Sequence, residues 1–415
     1  MTKSRKLFEF ASESSWAEKT TYFYPPWEYM TKLENIPLDS MPKFRELHSK
    51  NNLNLYFHFP MCQKKCPFCS YPSYDNSYFK KFHCSKVKYE NAILKELILW
   101  LNKLSGVINK KKFEINSVYI GGGTPSYWFL KSTSYDFFDK LGKISENYIK
   151  KNKLIDSINE ITFEVHPLFW NEKLLNYLKR RFAEKLKLSV GVQSFLPESI
   201  QIIRDINSNL LKNYIKKSKE IIDWILEQKI CLNIDFMWGL KNVSIKNELQ
   251  AIEDVLNNHL EKINQFTFYH IWRPSDLYKE KRYRKHIEMD FGKIRKQREL
   301  LFEILQRWGF RPDIYIEYFS KKSFDKNLYN QGQMNDSDYI AFGLNVHGKF
   351  GNLLYLNDHN ITEYLKKINN AQLPIKNFYF LSEKENEKRK LLLSLRLPKS
   401  KFSVDDLEKR LKLDS

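Results

Sequence analysis

Cys62, Cys66 and Cys69 fall within eight residues, directly after the apolar run Leu55-Tyr56-Phe57-His58-Phe59. Three thiolates fill three corners of a 4Fe-4S cluster and leave the fourth iron open to an outside ligand, whereas an electron-transfer cluster normally takes four. An open iron is a place for chemistry. Two other readings fit the same residues: a structural zinc site completed by His58, His83 or Cys84, and three buried thiols acting as small hydrophobes. The three-residue gap between Cys62 and Cys66 is uncommon in zinc knuckles and weighs toward iron.

Further residues narrow the choice. Cys-x3-Cys-x2-Cys with Phe68 before the last cysteine resembles the signature of radical S-adenosylmethionine (SAM) enzymes. Tyr56-Phe57-His58-Phe59-Pro60-Met61-Cys62 resembles one branch of them, the oxygen-independent coproporphyrinogen III oxidase family. In that family's order follow Gly-Gly-Gly-Thr-Pro-Ser at 121–126, Gly-Val-Gln-Ser-Phe at 191–195, Asn233-Ile234-Asp235 with Gly239-Leu240, and a looser match at 339–343. The matches cover about residues 53 to 350, and any one of them alone would be weak.

The resemblance implies a 4Fe-4S cluster on Cys62, Cys66 and Cys69 whose open iron binds SAM. An electron passed through the cluster then cleaves SAM to methionine and a 5'-deoxyadenosyl radical. It also implies positions around the cofactor. Gly122, Gly123 and Thr124 flank the methionyl end, Glu164, Gln193 and Asp235 contact SAM, and Tyr56 and Phe68 stand against the adenine and the bound cofactor. Arg204 joins this set on the assumption of a one-residue shortening, because Asp205 occupies the family's arginine position. A flavodoxin- or ferredoxin-type protein is the implied electron donor. Each residue has a blander reading as well: glycines end strands, acids on strand tips are solvated, and aromatics pack cores. His58 reads more readily as structure than as site, Cys84 and Cys231 as packing, and His166 replaces an amide in its motif for no evident reason.

These residues need elements to hold them. From Leu53 onward short apolar runs alternate with longer amphipathic stretches, a βα repeat. Strands are expected near 53–59, 117–121, 160–165, 187–192, 231–236 and 265–270, with helices near 85–105, 131–150, 171–182, 197–228 (broken) and 245–258. Periodicity alone does not separate a barrel from a doubly wound sheet. The resemblance implies an α/β fold, a partial (βα)6 parallel barrel, with an N-terminal arm at 1–50, the barrel at 51–285 and a small C-terminal accessory region at 286–415. In that region a helix near 289–308, strands near 313–319 and 339–344, and a helix-rich stretch from 385 to 415 are expected. Each barrel motif falls at the C-terminal end of a strand, the rim that carries active sites in parallel α/β architectures.

Composition bounds the rest. The 415 residues are 42% hydrophobic, enough for a large core, and only two cysteines, Cys84 and Cys231, lie outside the clustered three and far apart, which fits a reducing, cytoplasmic setting. No leader or membrane span is legible. The net charge of +20 is spread along the chain without a recognised nucleic-acid motif, so a small-molecule substrate is expected rather than nucleic acid.

Two departures from the family bear on function. Porphyrinogen-decarboxylating members usually carry a further cysteine where this chain has Tyr71, and haem-chaperone members begin almost at the cluster strand, whereas about fifty residues precede it here. The expectation is therefore a relative that uses one or two SAM molecules, the second as methyl or methylene donor to an unsaturated acceptor. Tyr24, Trp27, Trp272, Arg273 and Tyr278 could line a cavity for two cofactors. The alternatives are coproporphyrinogen III dehydrogenation and non-catalytic haem chaperoning.

Anaerobically reconstituted protein is expected to contain iron and sulfide in equal amounts, and Cys62→Ala, Cys66→Ala and Cys69→Ala combined to remove both. Tightly bound zinc alone would refute the cluster.

Overall fold

Six runs of the chain place a polar or tyrosine side chain at every second position between apolar ones, and such a strand must be buried on both faces by unlike surroundings. The computed structural model describes residues 52–69, 71–107, 113–132, 135–152, 155–271, 285–288, 290–313, 317–321 and 327–394. Within them the six runs are parallel strands: β1 (Asn52–Phe59), β2 (Phe113–Gly122), β3 (Ile155–Val165), β4 (Leu186–Gln193), β5 (Cys231–Trp238) and β6 (Gln265–His270). They lie side by side in chain order, as the partial-barrel expectation requires. The intervening helices include α1 (Asn76–Lys81), α2 (Lys86–Val107), α3 (Pro125–Trp128), α4 (Asp136–Asn152), α5 (Glu172–Phe182), α6 (Pro197–Arg204), α7 (Ser208–Glu227) and α8 (Ile245–Leu256). The expected break in 197–228 falls at Asp205, which adopts φ 50° and ψ 52° after α6; Asn207 then caps α7 by accepting from Leu210 N–H at 3.1 Å.

The sheet continues past the barrel on both sides. After helix α9 (Phe291–Arg307), β7 (Phe310–Pro312) and β8 (Tyr318–Lys321) form an antiparallel pair beside β6. Residues 313–319 were expected to be one strand; instead the chain reverses between Pro312 and Tyr318. On the other side β9 (Asp338–Phe342) runs parallel to β1, and β10 (His347–Phe350), β11 (Leu353–Asn357) and β12 (Ile375–Phe380) extend it antiparallel. These last three strands are absent from the sequence expectation. Helices α10 (Leu328–Met334), α11 (Ile361–Asn369) and α12 (Glu383–Ser394) complete the described chain. Of the helix-rich stretch expected at 385–415, residues 395–415 lie outside the described residues, as does the arm at 1–50. Among the described residues no helix is long and apolar enough to cross a membrane.

The outward side chains of the six strands are the core. Phe57, Ile120, Phe163, Val190, Ile234 and Phe268 are buried under the helices. The inward side chains are polar and also buried low in the barrel: Asn54, Ser117, Glu160, Thr162, Lys187, Ser189, Asn233, Gln265 and Thr267. Such groups are tolerable only when hydrogen-bonded. Ser117 Oγ donates to Asn54 Oδ1 at 2.7 Å, Thr267 Oγ1 to Asn233 Oδ1 at 3.0 Å, and Asn233 Nδ2 to Ser189 Oγ at 2.9 Å. Lys187 Nζ stands 3.1 Å from Glu160 Oε1, with the two side chains 3% and 1% exposed. Helix α10 closes this floor: Leu328 N–H donates to Glu160 Oε2 at 3.0 Å, and Gly332 sits where a Cβ would meet Asn54 Nδ2 at 2.3 Å.

Lys187→Met would strand the Glu160 carboxylate in this floor. The expected loss is about 3–5 kcal/mol of unfolding free energy, read by denaturant titration; a variant as stable as wild type would mean that Glu160 is not charged there.

Candidate functional site

β1 delivers the chain into the cysteine loop, and main-chain bonds fix that loop. Tyr74 N–H donates to the Pro60 carbonyl at 2.6 Å and Cys62 N–H to the Tyr74 carbonyl at 3.0 Å. From the side, Gly123 N–H donates to the Phe59 carbonyl at 3.0 Å and Thr124 N–H to the Met61 carbonyl at 2.9 Å. Gly123 is needed for this approach, since a Cβ would lie 2.8 Å from the backbone of Pro60 and Met61. The Gly122 N–H, at φ 115°, donates to Glu164 Oε2 at 3.2 Å. The amides of Gly122, Gly123 and Thr124 are thus spent on the Glu164 side chain of β3, the end of β1 and Met61 beside the first cysteine. Glycine here serves close packing of backbone on backbone.

Cys62, Cys66 and Cys69 are all partly accessible, and Cys69 N–H turns back onto the Cys66 carbonyl at 3.0 Å. Cys62 Sγ lies 3.4 Å from Thr124 Oγ1, and Cys66 Sγ accepts from Arg204 Nη1 at 3.2 Å. Burial pushes the Cys62 thiol up and the Cys69 thiol to about 12, so thiolates at this loop need a cation beside them. Of the residues that could complete a zinc site, His58 and Cys84 are engaged elsewhere. His58 bonds Tyr56 Oη through Nδ1 at 3.0 Å and the Pro72 carbonyl through Nε2 at 3.1 Å, and Cys84 is buried with its Sγ 3.6 Å from the Ser85 carbonyl. Among the described residues no three His, Cys, Asp or Glu side chains converge closely enough to hold one metal ion. Three thiols on a single accessible loop instead fit a cluster, whose own sulfides and irons keep the thiolates apart.

Above the polar floor the inward positions become partly accessible: Tyr56, Tyr119, Glu164, Gly191, Asp235 and Tyr269, one from each strand. Glu164 Oε1 accepts from Tyr119 Oη at 2.7 Å. Burial raises its carboxyl to about 7 against the pull of that phenol, and the nearby Asp235 adds to the rise. Asp235 accepts from Ser189 Oγ at 3.0 Å and Asn233 Nδ2 at 2.8 Å, and burial again moves its carboxyl up. Two carboxylates facing one space, each held by neutral donors, favour a cationic ligand between them. Gln193 adds a buried amide oxygen with no hydrogen-bond partner on a residue at φ 72°. A left-handed backbone at a non-glycine and an orphan acceptor are both costs that a donor-bearing ligand would offset. An amine, a sulfonium and a ribose in one molecule, as in SAM, match this set.

The structure brings Cys62, Cys66, Cys69, Thr124, Arg204 and Phe68 to one rim and Tyr56, Glu164, Gln193 and Asp235 to the lumen below it. Phe68 packs against Ile203, Met237 and Leu240 beneath the Arg204 guanidinium, 5.7 Å from its ring. Arg204, not Asp205, turns inward, and Asp205 directly after it adopts a left-handed conformation. His58 is satisfied structure; burial lowers its pKa to about 4, which keeps it neutral. His166 finds its reason: its Nδ1 accepts from Leu168 N–H at 3.1 Å, the side-chain turn that an asparagine or aspartate makes. Sequence reasoning missed Tyr119, Ser189 and Asn233, which hold the two acids, and Tyr214, which holds Arg204. For the three strand residues the available signal was the alternation, every second residue of each strand being polar or a tyrosine; Tyr214, on α7, carried none. Tyr24, Trp27, Trp272, Arg273 and Tyr278 lie outside the described residues.

Comparison with known proteins bears on the fold and the family. Residues 56–255 match the Radical SAM superfamily. The chain is 29% identical over 346 residues to the haem chaperone HemW of Buchnera aphidicola subsp. Schizaphis graminum, covering 81% of each chain. It is 23% identical over 380 residues to the oxygen-independent coproporphyrinogen III oxidase of Helicobacter pylori (strain ATCC 700392 / 26695), covering 87% of this chain and 76% of that one. Among solved structures it is similar to coproporphyrinogen III oxidase (HemN) from Escherichia coli, with a TM-score of 0.63 and 17% identity over 91% of this chain and 82% of that one. The fold is shared.

Glu164→Gln and Asp235→Asn are expected to weaken SAM binding by about 1–3 kcal/mol in calorimetry, with iron content unchanged. Because the raised Glu164 carboxyl takes up a proton as pH falls through about 7, SAM affinity should decline below that pH. The decline should be absent in Glu164→Gln; identical pH profiles for variant and wild type would remove Glu164 from the contact.

Proposed function

We propose that the protein, whose residues 56–255 match the Radical SAM superfamily, holds a 4Fe-4S cluster and SAM at the barrel rim and handles a tetrapyrrole, as a haem-binding chaperone. When bound, the cluster and SAM supply a 5'-deoxyadenosyl radical. Cys62, Cys66 and Cys69 would hold the cluster; Glu164, Gln193 and Asp235 would orient SAM; the backbone lock between Gly123, Thr124 and the cysteine loop would keep the loop shut against water. The observation that carries the reading is the aromatic upper lumen. Tyr56 and Tyr119 stack at 5.9 Å between ring centroids, Tyr329 from α10 lies 4.6 Å from Tyr119, and Tyr269 and Tyr318 meet hydroxyl to hydroxyl at 2.8 Å on the far side. Flat aromatic walls with polar tips suit a large conjugated ring system. The haem-chaperone name of a relative matched over four fifths of both chains supports the same class of ligand.

A second reading, dehydrogenation of a coproporphyrinogen propionate, is supported by the same Glu164, Gln193 and Asp235, because a radical reaction on the propionate also requires a SAM site. The relatives' names support these two readings better than one-carbon transfer from a second SAM.

Haem titration and turnover decide between them. Stable stoichiometric haem binding, with no product from coproporphyrinogen III, SAM and reductant, is the expected result. Decarboxylated porphyrinogen would establish the second reading. Deuterium passing from a SAM methyl group into a product would displace both.

A further inference from the structure

Two consecutive residues at the end of α6 grip the cysteine loop from opposite sides. Asp205 faces outward and accepts from Lys64 Nζ at 2.8 Å, while the same ammonium donates to the Asp205 carbonyl at 2.9 Å. Arg204 faces inward, 7% exposed, and donates to Cys66 Sγ at 3.2 Å. The rest of the guanidinium is pinned: Nε donates to Tyr214 Oη at 3.0 Å and Nη2 to the Gly191 carbonyl. Tyr214 is buried on α7 and donates to the Val192 carbonyl at 2.6 Å, so it too is fixed. The guanidinium lies 5.4 Å from the Tyr214 ring centroid and 5.7 Å from that of Phe68.

A thiolate-bound cluster becomes more negative when it takes up an electron. An N–H bond to a ligand sulfur and a buried positive charge both stabilise that reduced form, and hydrogen bonds to sulfur and local charge are established levers on cluster potential. Exposed Lys64, 60% accessible, acts through solvent and is screened; Arg204 is not. We propose that Arg204 sets the reduction potential of the cluster on Cys62, Cys66 and Cys69, and that Tyr214 is the positioning residue that aims it. This rests on the radical SAM reading and adds a role toward the cluster to any SAM contact. The fixed geometry is the reason for the choice of residue: a planar fork can hold a phenol, a carbonyl and a sulfur at once, whereas a lysine offers one point of charge.

The test uses the full chain, anaerobically reconstituted, without SAM, in a redox titration of the cluster followed by electron paramagnetic resonance. Relative to wild type, Arg204→Gln is expected to lower the couple by about tenfold or more in the electron-binding equilibrium, which is about 59 mV per tenfold for one electron. Tyr214→Phe should lower it by less, and Arg204→Lys should fall between wild type and Arg204→Gln. An unchanged potential in Arg204→Gln overturns the proposal. If that variant loses its cluster, a lowered potential in Tyr214→Phe and Arg204→Lys supports the proposal and unchanged potentials in both overturn it. Loss of the cluster from all three variants also overturns it, since the pair would then only fold the loop. A wild-type protein that takes up no 4Fe-4S cluster sinks the radical SAM reading instead.

Discussion

Everything at the barrel mouth depends on hydrogen-bond closure in its floor. Parallel strands covered by helices outside leave their inward side chains in a space too narrow for bulk water, and here nearly all of those side chains are polar. The Lys187–Glu160 pair is the centre of that closure, because each charge would be several kcal/mol uphill without the other. From it the bonds run through Thr162, Asn327 and Leu328, while Ser189, Asn233 and Thr267 carry a parallel chain up to Asp235. The acid at the mouth is therefore aimed by residues of the layer directly beneath it. An apolar filling of the same volume would make a firm barrel and leave Asp235 without support.

The cysteine loop is held by a different kind of contact. Its shape comes from main chain meeting main chain across Gly123, with no side chain in between. Its charge is met by one guanidinium whose nitrogens are shared among a sulfur, a phenol and a carbonyl. The Gln193-Ser194 step completes the rim: Ser194 Oγ donates to Glu248 Oε2 at 2.6 Å and locks the turn that leaves the Gln193 amide oxygen unpaired. One residue of the motif anchors and its neighbour waits for a ligand.

Much of this was legible in the chain. The six strands and the helices between them follow from alternation and amphipathic spacing, and a break somewhere in 197–228 was expected without its place. The cysteine spacing pointed toward a cluster, while Glu164 and Asp235 were picked out by the family resemblance, since an acid on a strand tip is by itself most often solvated. What could not be read were the partners. Tyr119 and Tyr214 are ordinary aromatics until strand register and helix packing bring them to Glu164 and Arg204, contacts 45 and 10 residues away in sequence. The short strands β10 to β12 were missed because their stability comes from joining an existing sheet edge, not from a run long enough to announce itself. His166 looked like a fault in a motif because a ring nitrogen is rarely written as a substitute for an amide oxygen, yet one acceptor two residues before an N–H is all that turn requires.

Helix α10 supplies the barrel floor from 168 residues downstream of the acid it caps. On a growing chain the six barrel strands emerge well before that cap exists. Until residue 328 leaves the ribosome, Glu160 and Asn54 face an opening that water can enter, and the parallel strands have no finished interior to close around. Assembly of the barrel thus becomes a late event governed by the C-terminal third, with slow, long-range loop closure setting its pace. A cluster delivered too early would meet a rim whose foundations are still wet.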